Sequence, residues 1–231
     1  MNPFVVTIDG PAAAGKSTTA RAVARRLACL YLDSGALYRA LAVQVLRRGI
    51  APEDREAVGA LVRATDLDLV PAPEGTRVLV DGEDVSAEIR APRVSEAASR
   101  LAEQPAVRER MGEIQRRVAR SRSVVVEGRD TGSVVFPDAT VKIFLDASSA
   151  ERARRRWREL RERGIEADLA GVQADVERRD RRDRERDLAP LVAAADSVVV
   201  DTTGLSLDEQ VEKVLGVIRS RRPGEPAAGS V

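Results

Sequence analysis

The 231-residue sequence contains no histidine and a single cysteine, Cys29. Without histidine, the chain cannot build a zinc site on imidazole or a catalytic triad that depends on histidine. A single cysteine excludes an internal disulfide, and such sparing use of cysteine is typical of a reducing cytosol. We therefore expect a cytoplasmic protein.

Aromatic residues and long hydrophobic runs are also scarce. Aromatics make up 3% of the chain and hydrophobic residues in total 43%, so a core must consist mainly of Val, Leu, Ile and Ala. No apolar run approaches the roughly 18–20 residues that a membrane span needs. The first ten residues, MNPFVVTIDG, lack the basic and apolar regions of a signal peptide. We expect neither a membrane segment nor secretion.

Neither sign of charge is in large excess, because 38 Lys and Arg residues face 37 Asp and Glu residues. The net charge of +1 argues against an attraction of the whole molecule to nucleic acid or to an anionic membrane. Three of the 38 cations are lysines, which leaves 35 arginines. An isolated arginine is therefore weak support for a functional site, and we rely on motifs instead.

What the sequence does contain is an alternation of short apolar runs with helical patterns. Residues 4–8 predict a strand buried on both faces, as in parallel sheets. The next elements are predicted as a loop of small residues at 10–15, a helix over 16–30, a strand at 31–32 and a helix over 36–48. The later elements are predicted as strands at 123–127, 141–145 and 197–201, and as helices at 92–119, 150–163, 170–187 and 206–221. This succession indicates an α/β fold with a parallel sheet.

Residues 65–90 interrupt that alternation. Leu67 and Leu69 alternate with polar residues, and Asp81-Gly82 is a hairpin signal. We expect a small antiparallel β insert of two or three strands.

The strongest motif is GPAAAGKS at residues 10–17, which fits the phosphate-binding pattern G-x-x-x-x-G-K-[ST] between a predicted strand and a predicted helix. Gly10 and Gly15 permit backbone angles that bring N–H groups toward one point, where they form an anion nest. Lys16 supplies a positive charge for the β and γ phosphates, and the Ser17 hydroxyl can bind Mg²⁺. The residues expected to contact ATP are Gly10, Pro11, Ala12, Ala13, Ala14, Gly15, Lys16, Ser17 and Thr18.

Three further segments narrow the class of P-loop protein. They are YLDSGALYR at 31–39, EGRDTGSVVFPDATVKIFLDAS at 127–148 and RRDRRDRERDLAPLVAAAD at 178–196. In order and spacing, from about residue 6 to residue 218, the chain resembles the bacterial cytidylate kinases, nucleoside monophosphate kinases that phosphorylate CMP and dCMP. It departs from that pattern at Ala13, where the family often has Gly, and at Glu127, where some relatives have Asp.

The residues of these segments suit an acceptor nucleotide. Arg39, four residues after Gly35, can hold a substrate phosphate in a bidentate fork. Asp130 follows a predicted parallel strand, at the edge where such sheets bind ligands. Its carboxylate can accept a hydrogen bond from the N4 amino group of cytosine, whereas the oxygen of uracil would be repelled. The resemblance implies that the CMP site is completed by Ser34, Ser99, Arg108, Arg129 and Asp183.

The resemblance also assigns roles to these residues. It implies that Arg108 donates to the acceptors of the cytosine ring, that Arg129 binds the substrate phosphate and that Asp183 binds the ribose. The catalytic residues that it implies are Lys16, Arg129, Arg179, Arg182 and Arg186.

Residues 178–187 are almost entirely charged. Phosphoryl transfer needs positive charge around an electron-rich transition state, and a mobile lid can bring arginines in while it excludes water. Nucleic-acid binding is disfavoured, because acidic residues interleave the arginines and no aromatics are present for stacking. Arg155, close to this predicted lid, is a candidate for stacking on the adenine of ATP.

The sequence therefore predicts a P-loop NTPase-type parallel sheet flanked by helices on both faces, with the β insert and an arginine-rich helical lid. The predicted parts are a core of 1–35, 121–150 and 191–220, a monophosphate-binding arm of 36–120, a lid of 151–190 and a disordered tail of 221–231. The expected activity is transfer of the γ-phosphoryl group from ATP to CMP or dCMP by a monomer, with Mg²⁺ as the cofactor that accompanies ATP.

Two alternatives stay open at this point. The first is a P-loop kinase of another acceptor, such as UMP, AMP, dTMP or shikimate. The second is a nucleotide-binding switch module that is not a kinase. A GTPase would carry an N-K-x-D motif and an ABC-type ATPase an L-S-G-G-Q-like segment, and the sequence contains neither. A screen of acceptors decides the first alternative, and whether ATP turnover requires a small-molecule acceptor decides the second.

Overall fold

The computed structural model describes residues 3–72 and 75–222, and its centre is a sheet of five parallel strands. These strands are β1 Val5–Asp9, β2 Leu30–Asp33, β6 Val124–Glu127, β7 Val141–Asp146 and β8 Val198–Asp201. Their spatial order is β2-β6-β1-β7-β8, so the strand that precedes the phosphate loop lies in the middle of the sheet. All carboxyl ends therefore meet at one edge, where α/β sheets bind ligands.

Helices cover both faces of the sheet. In the described ranges they are α1 Lys16–Arg26, α2 Ser34–Arg47, α3 Arg55–Ala64, α4 Pro92–Leu101, α5 Pro105–Ala119, α6 Ser149–Glu162, α7 Leu169–Glu185 and α8 Leu207–Arg221. Shorter helical turns lie at Glu88–Arg90 and Thr131–Val135. The predicted fold class, a parallel sheet with helices on both faces, is confirmed.

The valine run of β6 shows why helices must cover both faces of this strand. Val125 packs with apolar residues of α1 and α8 on one face, whereas Val124 and Val126 pack with α2 and α5 on the other. All three side chains are fully buried, and each contributes roughly 1.5–3 kcal/mol through removal from water. A strand without a polar face can only be satisfied between two layers of helices.

The insert is a separate antiparallel sheet of three strands, β3 Leu67–Ala72, β4 Gly75–Val80 and β5 Glu83–Asp84. Asp81 and Gly82 join the last two strands with φ angles of 50° and 82°, the left-handed pair of a type I′ hairpin. The Thr76 hydroxyl donates to the Tyr31 carbonyl oxygen at 2.6 Å, which ties the insert to the edge strand β2. The predicted antiparallel insert is thus confirmed.

The first predicted helix is too long. The prediction covers 16–30, but α1 ends at Arg26, because Ala28 takes a left-handed φ of 51° and the N–H of Cys29 bonds back into the helix at 2.9 Å. Leu30 joins the sheet instead. Alanine and leucine continue a helical pattern well, so no residue in this stretch signals the left-handed stop.

Two further differences concern the segment between β2 and β6. Helix α3 was not predicted, although Asp54 caps it by accepting from the Ala57 N–H at 3.0 Å. The helical segment predicted over 92–119 is divided into α4 and α5. Pro105 begins the second of these, at a position where its missing N–H costs no hydrogen bond.

Arg221, the first residue of the predicted tail of 221–231, is the last residue of α8, and Arg222 caps that helix. Residues 223–231 lie outside the described residues. Among residues 3–72 and 75–222, the structure contains no helix with the length and hydropathy needed to cross a membrane.

Candidate active site

The phosphate loop runs from the end of β1 into the start of α1. Gly10 has a φ of 148°, and a Cβ atom there would lie 2.0 Å from the Leu145 carbonyl oxygen, so only glycine fits. Gly15 caps α1 with a φ of 88°. Ala13 also takes a left-handed φ of 59°. This is the position at which the resembling family often has glycine. The loop therefore keeps its shape at Ala13 at the cost of backbone strain.

Lys16 lies at the floor of this loop. Its Nζ donates to the Pro11 carbonyl oxygen at 2.7 Å, and the side chain is 5% exposed. Burial lowers the pKa of Lys16, and the nearby Arg129 guanidinium lowers it further, while Glu127 opposes the shift. A nucleotide phosphate would add negative charge beside Nζ and so favour the charged form of the lysine.

Side chains whose oxygen atoms could bind a metal ion lie beside the first turn of α1. The Ser17 side chain lies close enough to the buried Glu127 carboxylate to lower its pKa, and the Tyr31 hydroxyl donates to the same carboxylate at 2.5 Å. Burial raises the pKa of Glu127, and the neighbouring Asp33 carboxylate raises it further. Asp33 pairs with Glu127 in the sheet register, and each acid is the last residue of its strand, so both lie at the carboxyl ends of adjacent strands.

This donor set fits Mg²⁺, which prefers hydroxyl and carboxylate oxygens and usually keeps water and phosphate among its ligands. The described part of the chain holds no group of three or more His, Cys, Asp or Glu that could bind a metal by itself. Ser17, backed by Glu127 and Asp33, could hold the ion together with nucleotide phosphates.

The turn after β6 presents Arg129 and Asp130. It is fastened by Asp9, whose carboxylate accepts from the Thr131 N–H at 2.9 Å, the Thr131 hydroxyl at 2.8 Å and the Gly132 N–H at 2.7 Å. Asp9 ends β1, so the central strand positions this turn directly. Burial raises the pKa of Asp9, and these hydrogen bonds oppose the shift.

Ser34 lies against the same turn. A Cβ atom on Gly128 would lie 2.6 Å from the Ser34 hydroxyl and 2.4 Å from the Thr131 methyl group, so glycine is required for this close packing. Ser34 is 6% exposed at the start of α2. The predicted CMP residue Ser34 therefore packs against the turn that carries Arg129 and Asp130.

Asp130 is held by arginines from two other elements. Arg108 of α5 pairs with one carboxylate oxygen, and Arg186, directly after α7, donates to the other at 3.0 Å. Tyr38 of α2 lies close to this cluster: burial raises its pKa to about 12, and the Arg108 charge opposes the shift. A buried ion-pair cluster adds little net stability, because desolvation offsets the attraction. Its clearer effect is to fix the position of the carboxylate.

A second cluster joins the same turn to α7. Arg129 donates from Nε to Asp183 at 2.8 Å and from a terminal nitrogen to the Gly128 carbonyl at 3.2 Å. Arg179, one turn before Asp183, has its pKa lowered to about 10 by burial and by the charge of Arg129. Guanidinium groups that repel one another in this way form a favourable environment for phosphate.

Other predicted residues are placed at the margins of these clusters. Arg39 folds back over Gly35 and donates to Asp33 at 2.6 Å. Arg155 donates to the Ala14 carbonyl at 3.3 Å and to the Thr202 carbonyl at 2.6 Å. Its position is thus beside the phosphate loop, and its stacking on adenine stays a prediction.

Ser99 and Arg182 are not joined to either cluster by the contacts of the described residues. Both are half-buried, Ser99 on α4 and Arg182 on α7. Their assignment to the site also stays a prediction.

Comparison with known proteins shows to which family the chain belongs. The family model for cytidylate kinase matches residues 6–220. The chain belongs to the cytidylate kinase family. It is 51% identical to a cytidylate kinase of Symbiobacterium thermophilum over 92% of this chain and 94% of that protein. A cytidylate kinase of Methylococcus capsulatus is 50% identical over 94% of this chain and 97% of that protein.

A solved structure gives the same picture of the fold alone. An uncharacterized protein from Eubacterium ventriosum superposes with a TM-score of 0.53 at 11% identity, over 94% of this chain and 99% of that chain.

Several residues at the candidate site of this cytidylate kinase family member were not predicted from the sequence. Asp9 directly follows the strand predicted over 4–8, so the rule that ligand sites follow such strands could have found it. Arg152 and Asp180 are also buried beside the phosphate loop, with 5% and 3% exposure. They stand in charged stretches, in which a buried side chain cannot be distinguished from a solvated one by sequence.

Proposed function

We propose that this member of the cytidylate kinase family transfers the γ-phosphoryl group of ATP to CMP or dCMP, forming ADP and CDP or dCDP. The observation that carries the proposal is the convergence of the phosphate loop with the Arg129–Asp183 and Arg108–Asp130–Arg186 clusters at one edge of the sheet. A phosphate donor site and a nucleotide acceptor site would thus share one cleft.

On the donor side, the backbone N–H groups of residues 13–18 and the N-terminus of α1 would bind the ATP phosphates. Lys16 would leave the Pro11 carbonyl for the β and γ phosphates. Ser17, with Glu127 and Asp33 behind it, would hold Mg²⁺, which neutralises charge on the phosphates when bound. Arg155 would contact the ATP from the side of β8.

On the acceptor side, Arg39 and Arg129 would bind the phosphate of CMP, since guanidinium groups match two phosphate oxygens at once. Asp130 would accept from the N4 amino group of cytosine, and Arg108 would donate to the acceptors of the ring. We assign Ser34 and Ser99 to the same nucleotide and Asp183 to its ribose.

The transfer itself needs no covalent enzyme intermediate and no general base. A phosphate oxygen of CMP attacks the γ phosphorus in line, and the bond to the β–γ bridging oxygen breaks. Arg179, Arg182 and Arg186 would stabilise the charge of the transferred group. We propose residues 36–120 as a monophosphate-binding arm and residues 151–190 as a lid that excludes water on closure.

We also propose that the protein acts as a monomer in the cytoplasm. A single cysteine suits a reducing compartment. The charged surface of α6 and α7 suits a lid more than a subunit interface.

A coupled assay of ADP release tests the proposal. The assay uses Mg-ATP with CMP, dCMP, UMP, AMP, GMP, dTMP or no acceptor. Strong activity confined to CMP and dCMP is the expected result. Activity centred on UMP or AMP would disprove the cytosine assignment of Asp130, and slow ATP loss that ignores every acceptor would disprove the kinase activity.

A further inference from the structure

Two charged residues without an assigned role hold the backbone of the phosphate loop. Asp180 of α7 accepts from the Ala12 N–H at 3.0 Å, and Arg152 of α6 donates to the Ala12 carbonyl oxygen at 3.0 Å. The two side chains also pair with each other, and Arg152 donates to the Ala147 carbonyl at 2.9 Å. Both polar groups of Ala12 are therefore held from outside the loop.

Stability alone is a poor explanation for this pair. Arg152 and Asp180 are 5% and 3% exposed, so both charges are removed from water. Apolar residues of similar volume are often as stabilising as a buried ion pair, because desolvation cancels most of the attraction. Apolar residues could not form hydrogen bonds with the N–H and the carbonyl oxygen of Ala12. These two bonds fix the course of the loop.

The geometry of a phosphate nest gives these bonds a purpose. The N–H groups that bind phosphate point to the inside of such a loop, so carbonyl groups point outward and need other donors. Helix α6 supplies them: Arg152 bonds the Ala12 carbonyl and Arg155, three residues later, bonds the Ala14 carbonyl at 3.3 Å. The helix thus supports two outward carbonyls, two residues apart in the loop.

The same pair connects the loop to the acceptor side. Asp180 and Asp183 are three residues apart on α7, and such residues lie on neighbouring positions of one helical face. Asp180 bonds the phosphate loop, while Asp183 bonds Arg129 at 2.8 Å. These are two separate contacts, so the Asp183–Arg129 bond on the acceptor side can stay in place when the Asp180 contact to the phosphate loop is lost.

We propose that Arg152 and Asp180 are positioning residues that hold the phosphate loop in its ATP-binding shape. This inference rests on the proposed function for its kinetic consequences, but the loop contacts themselves do not depend on the acceptor. The pair acts through Ala12 and touches no reacting atom. Its loss should weaken ATP binding and turnover while it leaves CMP binding nearly unchanged.

The test compares Asp180→Asn with the double variant Arg152→Gln/Asp180→Asn. Affinities for ATP and for CMP are measured separately by calorimetry, together with kcat, KM and the thermal unfolding midpoint. In Asp180→Asn we expect ATP affinity to fall about tenfold and kcat to fall about tenfold to hundredfold, because small misplacement of reacting groups costs that much. CMP affinity should change less than about threefold.

The double variant separates positioning from stability. Without either charge, its unfolding midpoint should return toward the wild-type value, since no buried charge is left unpaired. Its ATP affinity should stay low, because glutamine is too short to replace the Arg152 bonds to Ala12 and Ala147. If Asp180→Asn does not fold, the ATP and CMP affinities of the double variant test the proposal instead. Wild-type ATP affinity in the double variant, or equal losses of ATP and CMP affinity, would overturn the proposal.

Asp175→Asn is the matched control. It is the same substitution on the same helix, but Asp175 and its partner Arg178 are 64% and 63% exposed. We expect wild-type affinities and rates. If the wild-type protein bound ATP but did not phosphorylate CMP, the proposed function would fail, and the ATP affinities of the variants would still test the pair.

Discussion

At the scale of single residues, a few charged side chains of the site differ from most other charged side chains in how deeply they are buried. Lys16 is 5% exposed and Asp130 is 7% exposed, whereas most of the charged residues of α6 and α7 are half-buried or exposed. Burial of a charge costs free energy unless polar partners compensate for it. Charged residues at such positions are therefore the ones whose replacement should change function more than the fold.

Lys16→Ala should reduce kcat by about two to three orders of magnitude, as does the loss of other transition-state charge stabilisers. The unfolding midpoint should change little, because the substitution removes a buried charge together with its interactions. Steady-state kinetics and thermal unfolding check this. Lys213→Ala, at an exposed lysine of α8, is the control and should behave as wild type. Near-normal kcat in Lys16→Ala would contradict the role of this lysine.

Asp130→Asn should lower kcat/KM for CMP by about tenfold to hundredfold, since hydrogen bonds to charged groups contribute about 1.5–3 kcal/mol. The preference for CMP over UMP should fall with it, because an amide can donate to the oxygen of uracil. Competition between the two acceptors measures the ratio. The exposed Asp138→Asn serves as the control. An unchanged CMP-to-UMP ratio in Asp130→Asn would show that another group reads the base.

Ala13→Gly should relieve a left-handed φ of 59°. The strain of alanine in that region is about 1–2 kcal/mol, and the greater freedom of glycine in the unfolded chain returns about 0.4–1 kcal/mol. We expect a net stabilisation of about 0–1.6 kcal/mol in urea unfolding. Ala14→Gly, whose backbone needs no positive φ, should instead be destabilising. A loss of stability in both variants would mean that Ala13 is not strained.

At the scale of elements, the helices differ in what sets their ends. The last helix, α8, starts with a capping box in which Ser206 accepts from the Glu209 N–H at 3.3 Å and Glu209 accepts from the Ser206 N–H at 2.8 Å. Helix α7 ends at Glu185, and Arg186 then turns to extended backbone and reaches Asp130. The start of α8 is set by local hydrogen bonds, whereas the end of α7 coincides with the contact between Arg186 and Asp130.

Ser206→Ala should lower the free energy of unfolding by about 1 kcal/mol, the usual value of an N-terminal cap. Urea unfolding measures this, with kcat expected to stay at the wild-type value because the cap lies outside the clusters of the site. Ser220→Ala, near the other end of α8, should have little effect. Equal effects at both serines would show that the capping box contributes nothing particular.

At the scale of the whole molecule, the site forms where separate parts of the chain meet. Arg108 comes from α5, Asp130 from the turn after β6, and Arg186 from the residue that follows α7. Because both arginines pair with one carboxylate, the proposed arm, core and lid depend on one another. Binding of both nucleotides should therefore order α6 and α7 more than binding of either one.

Hydrogen exchange tests that coupling. With ATP and CMP together, or with an unreactive ATP analogue and CMP, amides of residues 151–190 should exchange more slowly than with a single nucleotide, because their arginines gain phosphate partners. Amides of α8, which lies outside the proposed arm and lid, provide the internal control and should not change. Equal protection with one nucleotide or two would argue against a lid that closes over both.

The chain itself carries enough local information to predict its family, its phosphate loop, the parallel sheet and the antiparallel insert. Each of these rests on short-range chemistry. Gly10 and Gly15 with Lys16 make an anion site within eight residues, the valine run of β6 demands burial on both faces, and Asp81-Gly82 specifies a tight hairpin. The family and the fold class are confirmed.

The tertiary structure decided what local patterns could not express. Arg152 and Asp180 stand among many similar charged residues, and only long-range packing removes them from water and places them on Ala12. The end of α1 at Arg26 was also hidden, because alanine rarely signals a left-handed stop. Burial of a charge depends on which distant elements pack around it, and a sequence of interleaved acids and arginines does not specify that.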